Sequence, residues 1–246
     1  MFGIIAGLLL IVILIWKRGE ICSSIALYIY SRGKSQSWKA WLRVASQLGG
    51  MSFNSKLREA YMLLKDGDID DANKKFALLA MEKLTPDKRL RVKSSYALVF
   101  WKQGNIDTAI EMLEEVCEKA PNTAVYGSLG YMYAYNGNLS TALDFNQKAY
   151  EYNADDPIIL DNLAYTYFKT GEYSKAQEFY DLLLEMKPTF PEAYYGYACL
   201  LAELGDTERS VEMARRALEA SFSFLSMVTR RDINDFIERN EGMTEE

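Results

Sequence analysis

Few residues in this sequence could carry chemistry of their own. There is no histidine, which removes the commonest general base and the commonest metal ligand. Three cysteines, Cys22, Cys117 and Cys199, lie far apart and form no C-x-x-C pair. An odd, scattered set reads as free thiols in a reducing compartment, not as a disulfide framework or a metal site. Asp66, Asp68 and Asp70 share the alternate spacing of a calcium loop, but the loop glycine and the terminal glutamate are missing. No glycine-rich phosphate loop and no Gly-x-Ser-x-Gly elbow occurs. The chain is therefore read as not an enzyme, with no cofactor and no metal; an enzyme or cofactor-binding subunit is the least favoured alternative.

Binding chemistry is better supplied. The chain holds 17 tyrosines, 11 phenylalanines and 4 tryptophans, and such rings anchor protein and peptide recognition by giving large contact area at low conformational cost. They need a scaffold that presents them at a fixed spacing. Five glycines mark one: Gly67, Gly104, Gly137, Gly171 and Gly205, separated by 37, 33, 34 and 34 residues. Five residues after each stands a small residue, Ala72, Ala109, Ala142, Ala176 and Ser210. With each glycine as position 15 of a unit, position 8 is small as well: Ala60, Ala97, Gly130, Ala164 and Ala198. Two antiparallel helices that pack closely need a small residue on each where they cross. Each glycine then ends the first helix of a pair, where the backbone needs φ > 0. Asp70, Asp107, Ser140 and Ser174 are placed to cap the second helix, with Glu208 a poorer cap in the fifth unit.

This pattern resembles the tetratricopeptide repeat family. The fourth unit matches it best, through Leu160, Leu163, Ala164, Tyr167, Gly171, Ala176, Tyr180 and Pro188. The third offers Tyr126, Leu129, Gly130, Tyr133, Gly137 and Ala142, but has Asn146 where the family has an aromatic and Ala154 where it has proline. The first departs furthest, with Lys56 and Glu59 at usually apolar positions. The resemblance covers about 53–222. It implies an all-α superhelical solenoid of five helix-turn-helix units at 53–89, 90–122, 123–156, 157–190 and 191–222. A capping helix is expected at 223–240, where Phe224, Leu225, Val228, Ile233, Phe236 and Ile237 alternate with charges. The tail at 241–246 is expected to be disordered.

The resemblance also implies a protein or peptide partner, held in a concave groove lined by the first helices. Carried over unit by unit, the groove positions include Leu57 and Tyr61; Arg91, Trp101 and Lys102; Tyr131 and Tyr135; Asp161, Tyr165, Phe168 and Lys169; and Tyr195. The same rings could instead pack between adjacent first helices, and the sequence leaves the two readings level. Family members that grip a C-terminal carboxylate use a Lys/Asn clamp; the corresponding positions here are Leu57, Tyr61, Ser95, Ala124 and Ser128, and none matches.

The ends of the chain differ in charge. Residues 1–52 carry six basic residues against Glu20 alone, a net +5, while the rest carries 22 basic and 33 acidic residues, a net −11. The acidic body argues against nucleic acid; the basic end suits an anionic membrane surface. Residues 2–16 are uncharged and as a helix would reach about 22 Å. With Lys17 and Arg18 snorkelling at its end, the segment 1–18 reads as a transmembrane anchor. A signal sequence is the alternative, but no basic region precedes the run and no small-x-small site follows it. The basic residues beyond the span put the repeats on the cytoplasmic side. Residues 19–52 read as a basic juxtamembrane, amphipathic segment. Its Trp38 and Trp41 either join Lys17 and Arg18 in a collar at headgroup depth or pack on the first repeat as its cap. The expected whole is a membrane-tethered scaffold; the alternative is an extracytoplasmic factor in envelope protein assembly.

Overall fold

The computed structural model describes residues 17–33 and 36–241, and these form an all-α solenoid of thirteen helices without a strand. The expected anchor at 2–16 and the residues 242–246 lie outside the described residues. Among the described residues no helix is long and apolar enough to cross a membrane. The chain divides into two compact units, one ending at Leu84 and the other beginning at Thr85.

The first unit contains α1 (Arg18–Ser31), α2 (Ser37–Leu48), α3 (Phe53–Asp66) and α4 (Ile69–Met81). The stretch 19–52, expected as a juxtamembrane segment, folds as a helical hairpin of α1 and α2. Small residues let the two backbones touch. Gly19, Ser23 and Ala26 are buried on α1, and a Cβ on Gly19 would overlap the carbonyl oxygen of Gly49 and lie 2.8 Å from that of Ala45. Facing them, Trp38, Leu42 and Ala45 are buried on α2 at helical spacing. Trp38 is 2% exposed and meets Tyr30 edge-on at 5.1 Å. That corrects its place in a membrane collar: the indole fills the hairpin interior, and only Trp41, 37% exposed, stays at the surface. Two contacts fasten the hairpin to the repeat that follows. Glu20 accepts hydrogen bonds from the Ser52 amide (2.8 Å) and the Ser55 hydroxyl (2.6 Å). Lys39, counted above with the basic segment, pairs with Asp66 at 2.5 Å and Asp68 at 2.7 Å.

The second unit contains α5 (Pro86–Lys102), α6 (Ile106–Lys119), α7 (Thr123–Tyr135), α8 (Leu139–Tyr152), α9 (Pro157–Lys169), α10 (Tyr173–Glu185), α11 (Pro191–Glu203), α12 (Thr207–Glu219) and α13 (Arg230–Glu241). Proline at the first helical position starts α5, α9 and α11, where its fixed φ suits the helix and its missing N–H costs nothing. The second repeat's first helix begins at Pro86, four residues before the expected Leu90. Its 17 residues absorb the three extra residues in the 37-residue spacing.

All five ladder glycines have φ between 80° and 92°, the left-handed region that a Cβ penalises. The turn after them is tighter than the sequence suggested. At Gly171, for example, the Gly171 amide donates to Phe168 O at 3.1 Å and the Glu172 amide to Tyr167 O at 2.9 Å, the paired bonds of a Schellman motif. In four repeats the residue that closes this motif is already the N-cap of the next helix, Asp68, Asn105, Glu172 and Asp206, and in the third repeat Asn138 is the N-cap at the same position. The caps expected two residues later are therefore displaced. Asp70 and Asp107 sit in the first turn instead, where a carboxylate still favours the helix dipole.

The small residues at positions 8 and 20 are buried in every repeat, and the larger residues beside them make the core. One cluster gathers Leu113, Val116, Val125, Leu129 and Met132. Another runs from Leu160 and Leu163 through Tyr180, Tyr197 and Leu201 to Ile233, Phe236 and Ile237 of α13. The capping helix is shorter than expected. Residues 223–229 are not helical, and α13 starts where Asp232 accepts from the amide (2.8 Å) and hydroxyl (2.7 Å) of Thr229.

Candidate functional site

In the second unit, α5, α7 and α9 bring four of the expected groove rings into one run. Trp101 meets Tyr131 edge-on at 5.4 Å. Tyr131 stacks on Tyr135 at 4.2 Å, and Tyr135 stacks on Tyr165 at 4.8 Å with the planes 2° apart. The rings pack between successive first helices and line one face while doing so. Phe168, Lys169 and Tyr195 continue along this face and line the same cavity as Tyr131, Tyr135 and Tyr165. Tyr61 stands on α3 in the first unit, 37% exposed. Leu57, given the same register, is buried in that unit. Lys17 and Arg18 lie at the start of α1, where Arg18 Nε donates to Leu48 O at 3.1 Å.

The non-helical segment before α13 runs along this face. Lys102 Nζ lies 4.9 Å from the ring centres of both Trp101 and Phe224 and 3.5 Å from Ser226 O. At the other end the Met227 amide donates to Glu192 at 2.7 Å. The segment is thus fastened to α5 at one side and α11 at the other. From there α13 folds back, with Phe236 edge-on to Tyr195 at 5.4 Å. Lys102, read from the sequence as a groove residue, is engaged within the chain.

Between this strap and the first helices lies a cavity of about 400 Å³. Its walls are the rings of Tyr131, Tyr135, Tyr165 and Tyr195. Asp161 of α9 and Glu192 of α11 face it from one side, and Lys169 and Arg239 border it near Cys199. Burial, with Glu192 as the charge that adds to it, holds the Asp161 carboxyl well above the usual carboxylate range. Burial also raises Glu192, against the opposing Met227 amide and Lys102. Burial lowers Lys102, with Glu192 opposing. The tyrosine hydroxyls at 131, 135 and 195 are raised by burial too, and Cys199 is pushed up to about 11. Burial thus disfavours the charged form of each of these groups when the cavity holds no partner for it, so the cavity offers recognition by hydrogen bonds and ring faces. Among the described residues no group of three or more His, Cys, Asp or Glu side chains is gathered for a metal ion.

Glu192, Tyr180 and the lining from α13 were not singled out from the sequence. Glu192 could have been, since it occupies position 2 of the fifth unit, a groove position. Tyr180 is a second-helix core residue by its register, and nothing local marks its hydroxyl as reaching the cavity wall. The strap depends on contacts more than a hundred residues apart in sequence, such as Lys102 with Ser226.

Tetratricopeptide-repeat family models match residues 97–157, 159–190 and 179–212. Across those residues the repeats of this chain match the tetratricopeptide repeat. Among curated proteins, a cellulose synthase operon protein C from Pseudomonas fluorescens is 27% identical over 173 residues, 67% of this chain. The match spans only 14% of that protein's length. Among solved structures, a tetratricopeptide repeat protein from Parabacteroides merdae superposes with a TM-score of 0.75 at 12% identity, over 92% of this chain and 85% of its own. A chain of the APC/C hetero-tetramer Cut9–Hcn1 gives 0.66 at 16% identity, over 79% of this chain and 37% of that one. At such identities the likeness is one of fold.

Proposed function

We propose that this tetratricopeptide-repeat chain is a non-enzymatic scaffold that binds a segment of a partner protein along the aromatic face of its first helices. Proteins of this repeat type act as protein-interaction scaffolds, and one of the similar solved chains belongs to a hetero-tetramer. The observation that carries the reading is the continuous run Trp101–Tyr131–Tyr135–Tyr165, three contacts in succession on three first helices. Exposed ring edges beside a recess are where a partner's apolar side chains gain most. The groove candidates Phe168, Lys169 and Tyr195 extend the surface in this proposal, and Lys102 positions the strap beside it, while Tyr61 is a separate candidate on the first unit.

The scaffold would be tethered to a membrane by residues 2–16, with its repeats on the cytoplasmic side. This rests on the uncharged run and on the basic residues that follow it; Lys17, Arg18 and the exposed Trp41 would then lie nearest the surface. Tethering would raise the local concentration of a partner at that membrane. A second reading is an extracytoplasmic assembly factor of the envelope, which follows if residues 2–16 act as a signal sequence. A topology reporter fused after Glu246 separates the two, because an exported reporter excludes the cytoplasmic placement. The scaffold itself is tested by crosslinking in intact membranes and mass spectrometry, comparing wild type with the Tyr131→Ala/Tyr165→Ala variant. Partner capture should fall while helical content is retained. Undiminished capture by a folded variant would refute the aromatic face as the binding surface.

A further inference from the structure

The cavity beneath the strap holds polar groups that the chain itself does not satisfy. Asp161 is 7% exposed and lines the cavity. Among the described residues, none donates a hydrogen bond to its carboxylate or forms an ion pair with it. Tyr180 is 0% exposed, also lines the cavity, and its buried hydroxyl has no hydrogen-bond partner. The hydroxyl lies against Gly196, where any Cβ would overlap it; the glycine gives the phenol its place in the wall. Leaving the buried Tyr180 hydroxyl unsatisfied, with a carboxylate beside it that has no donor from the chain, is unfavourable, and phenylalanine or leucine at these positions would avoid it.

The unsatisfied set is rich in acceptors and walled by ring faces. Asp161 and Glu192 stand on neighbouring first helices facing one space. Of the other acids in the wall, Asp232 is engaged by Thr229 and Asp235 by Arg231 at 3.6 Å. The cations in the wall border it near Cys199: Arg239 donates to the Asp235 carbonyl at 2.9 Å, and Lys169 Nζ stands 6.0 Å over the Tyr165 ring. That last contact shows one of these rings already receiving an ammonium on its face. A negatively charged ligand would meet Asp161 and Glu192. A neutral apolar one would leave the carboxylate and the Tyr180 hydroxyl unsatisfied. A head group with several N–H donors on an apolar stem satisfies both the acceptors and the rings.

We propose that this cavity binds an alkylammonium or guanidinium head group, the lysine or arginine side chain of the partner segment. The proposal rests on the scaffold reading and adds the partner's chemistry: a basic residue flanked by apolar ones that lie on the Trp101–Tyr131 run. The strap and α13 enclose the head group against α9 and α11, as Met227 and Val228 already border the space.

The test uses the full chain and calorimetric titration at constant ionic strength. The probes are N-acetyl-lysine methylamide and N-acetyl-arginine methylamide, with N-acetyl-norleucine methylamide as the neutral isostere and n-butylammonium as the free amine. At least one of the two basic amino-acid probes should bind and raise the melting midpoint, while norleucine does neither. Asp161→Asn should weaken that binding about tenfold or more, because it removes the charge from a desolvated pair. Tyr180→Phe, which keeps the ring, should weaken it by a smaller factor. Tighter binding of n-butylammonium than of either blocked amino acid would overturn the partner's side chain as the source and assign the site to a free amine. Equal binding of norleucine, no binding of any cation, or unchanged binding in a folded Asp161→Asn variant would overturn the cation site itself. If the cation site fails while Tyr131→Ala/Tyr165→Ala still abolishes partner capture, the scaffold stands without it. If capture also survives that variant, both fall.

Discussion

Asn146 stands where the repeat pattern has an aromatic and packs against Gly130 of the preceding helix, and the coupling of the two can be measured. Gly130 lies inside α7 without a positive φ, so alanine fits its backbone. In an ordinary helix Gly→Ala would stabilise by roughly 1 kcal/mol. Here a Cβ would overlap Asn146 Oδ1 and lie 3.1 Å from its Cγ. Asn146 is fully buried and cannot simply swing away. Its Nδ2 donates to Gly130 O at 3.2 Å and to Thr166 Oγ1 at 3.0 Å. Thr166 in turn donates to Asn162 O at 2.6 Å, and Asn162 Nδ2 to Gly127 O at 2.7 Å. Overpacking of this kind costs about 1–3 kcal/mol, and each lost buried hydrogen bond adds about 1 kcal/mol. After the helix gain, Gly130→Ala should destabilise by roughly 2 kcal/mol.

Asn146→Ala should cost a similar ~2–3 kcal/mol through two lost hydrogen bonds and a small void. In the double variant the overlap is gone and the alanine's helix preference is realised. Its destabilisation should be only ~1–2 kcal/mol, leaving a coupling of about 2–3 kcal/mol between the sites. Urea unfolding followed by far-ultraviolet circular dichroism reads all four proteins. Strict additivity, or a Gly130→Ala variant more stable than wild type, would refute the placement of Asn146 against α7.

Three further outcomes follow from the geometry. Gly137→Val should destabilise by about 1–2 kcal/mol, since Gly137 sits at φ 83° where a β-branched residue is strained; an unchanged unfolding midpoint would contradict it. Trp38→Ala should lower stability by ~3–5 kcal/mol by emptying the α1–α2 interface, and the chemical-denaturation midpoint checks it. The carboxyl of Asp161 is raised in the folded chain by burial and by Glu192. Its effect on stability is therefore absent below the unfolded value near 3.8, and stability is lost as pH rises above it. Asp161→Asn should flatten the fall in melting midpoint between about pH 4 and neutrality, with the part due to Glu192 remaining. An unaltered slope would place Asp161 in solvent.

The fold was legible because it rests on short-range chemistry repeated five times. A glycine that needs positive φ and a small residue on each helix at a crossing are local demands, so they recur in register and show in the sequence. What failed was finer or longer in range. The caps were placed two residues late because one residue serves both as the end of the Schellman motif and as the next N-cap. The first hairpin was hidden because α1 and α2 combine basic residues with tryptophan, a composition shared with membrane-surface helices. Their packing depends on Gly19 meeting Gly49, thirty residues away. The groove rings were named by register, and the structure gathers Trp101, Tyr131, Tyr135 and Tyr165. The cavity they help to enclose needs the strap from the far end of the chain, which no local pattern announces.

The departures from the repeat pattern also have a direction. In the third and fourth repeats Asn146, Asn162 and Thr166 are buried polar residues, and the chain satisfies most of their hydrogen bonds through Gly130, Gly127 and one another, while Asn146 Oδ1 is left without a partner. The polar groups of the neighbouring cavity are treated differently. Tyr180 is as deeply buried as that network and Asp161 nearly so, yet none of the network's hydrogen bonds reaches them. A core polar network serves packing and registry when every member is paired. Polar groups left open beside a recess serve whatever enters it. The same two repeats thus contain a largely paired network, whose one open atom, Asn146 Oδ1, faces Gly130 away from the recess, and the Asp161 and Tyr180 groups that line the recess; access from the recess is the structural reason to seek the partner's chemistry at Asp161 and not at Asn146.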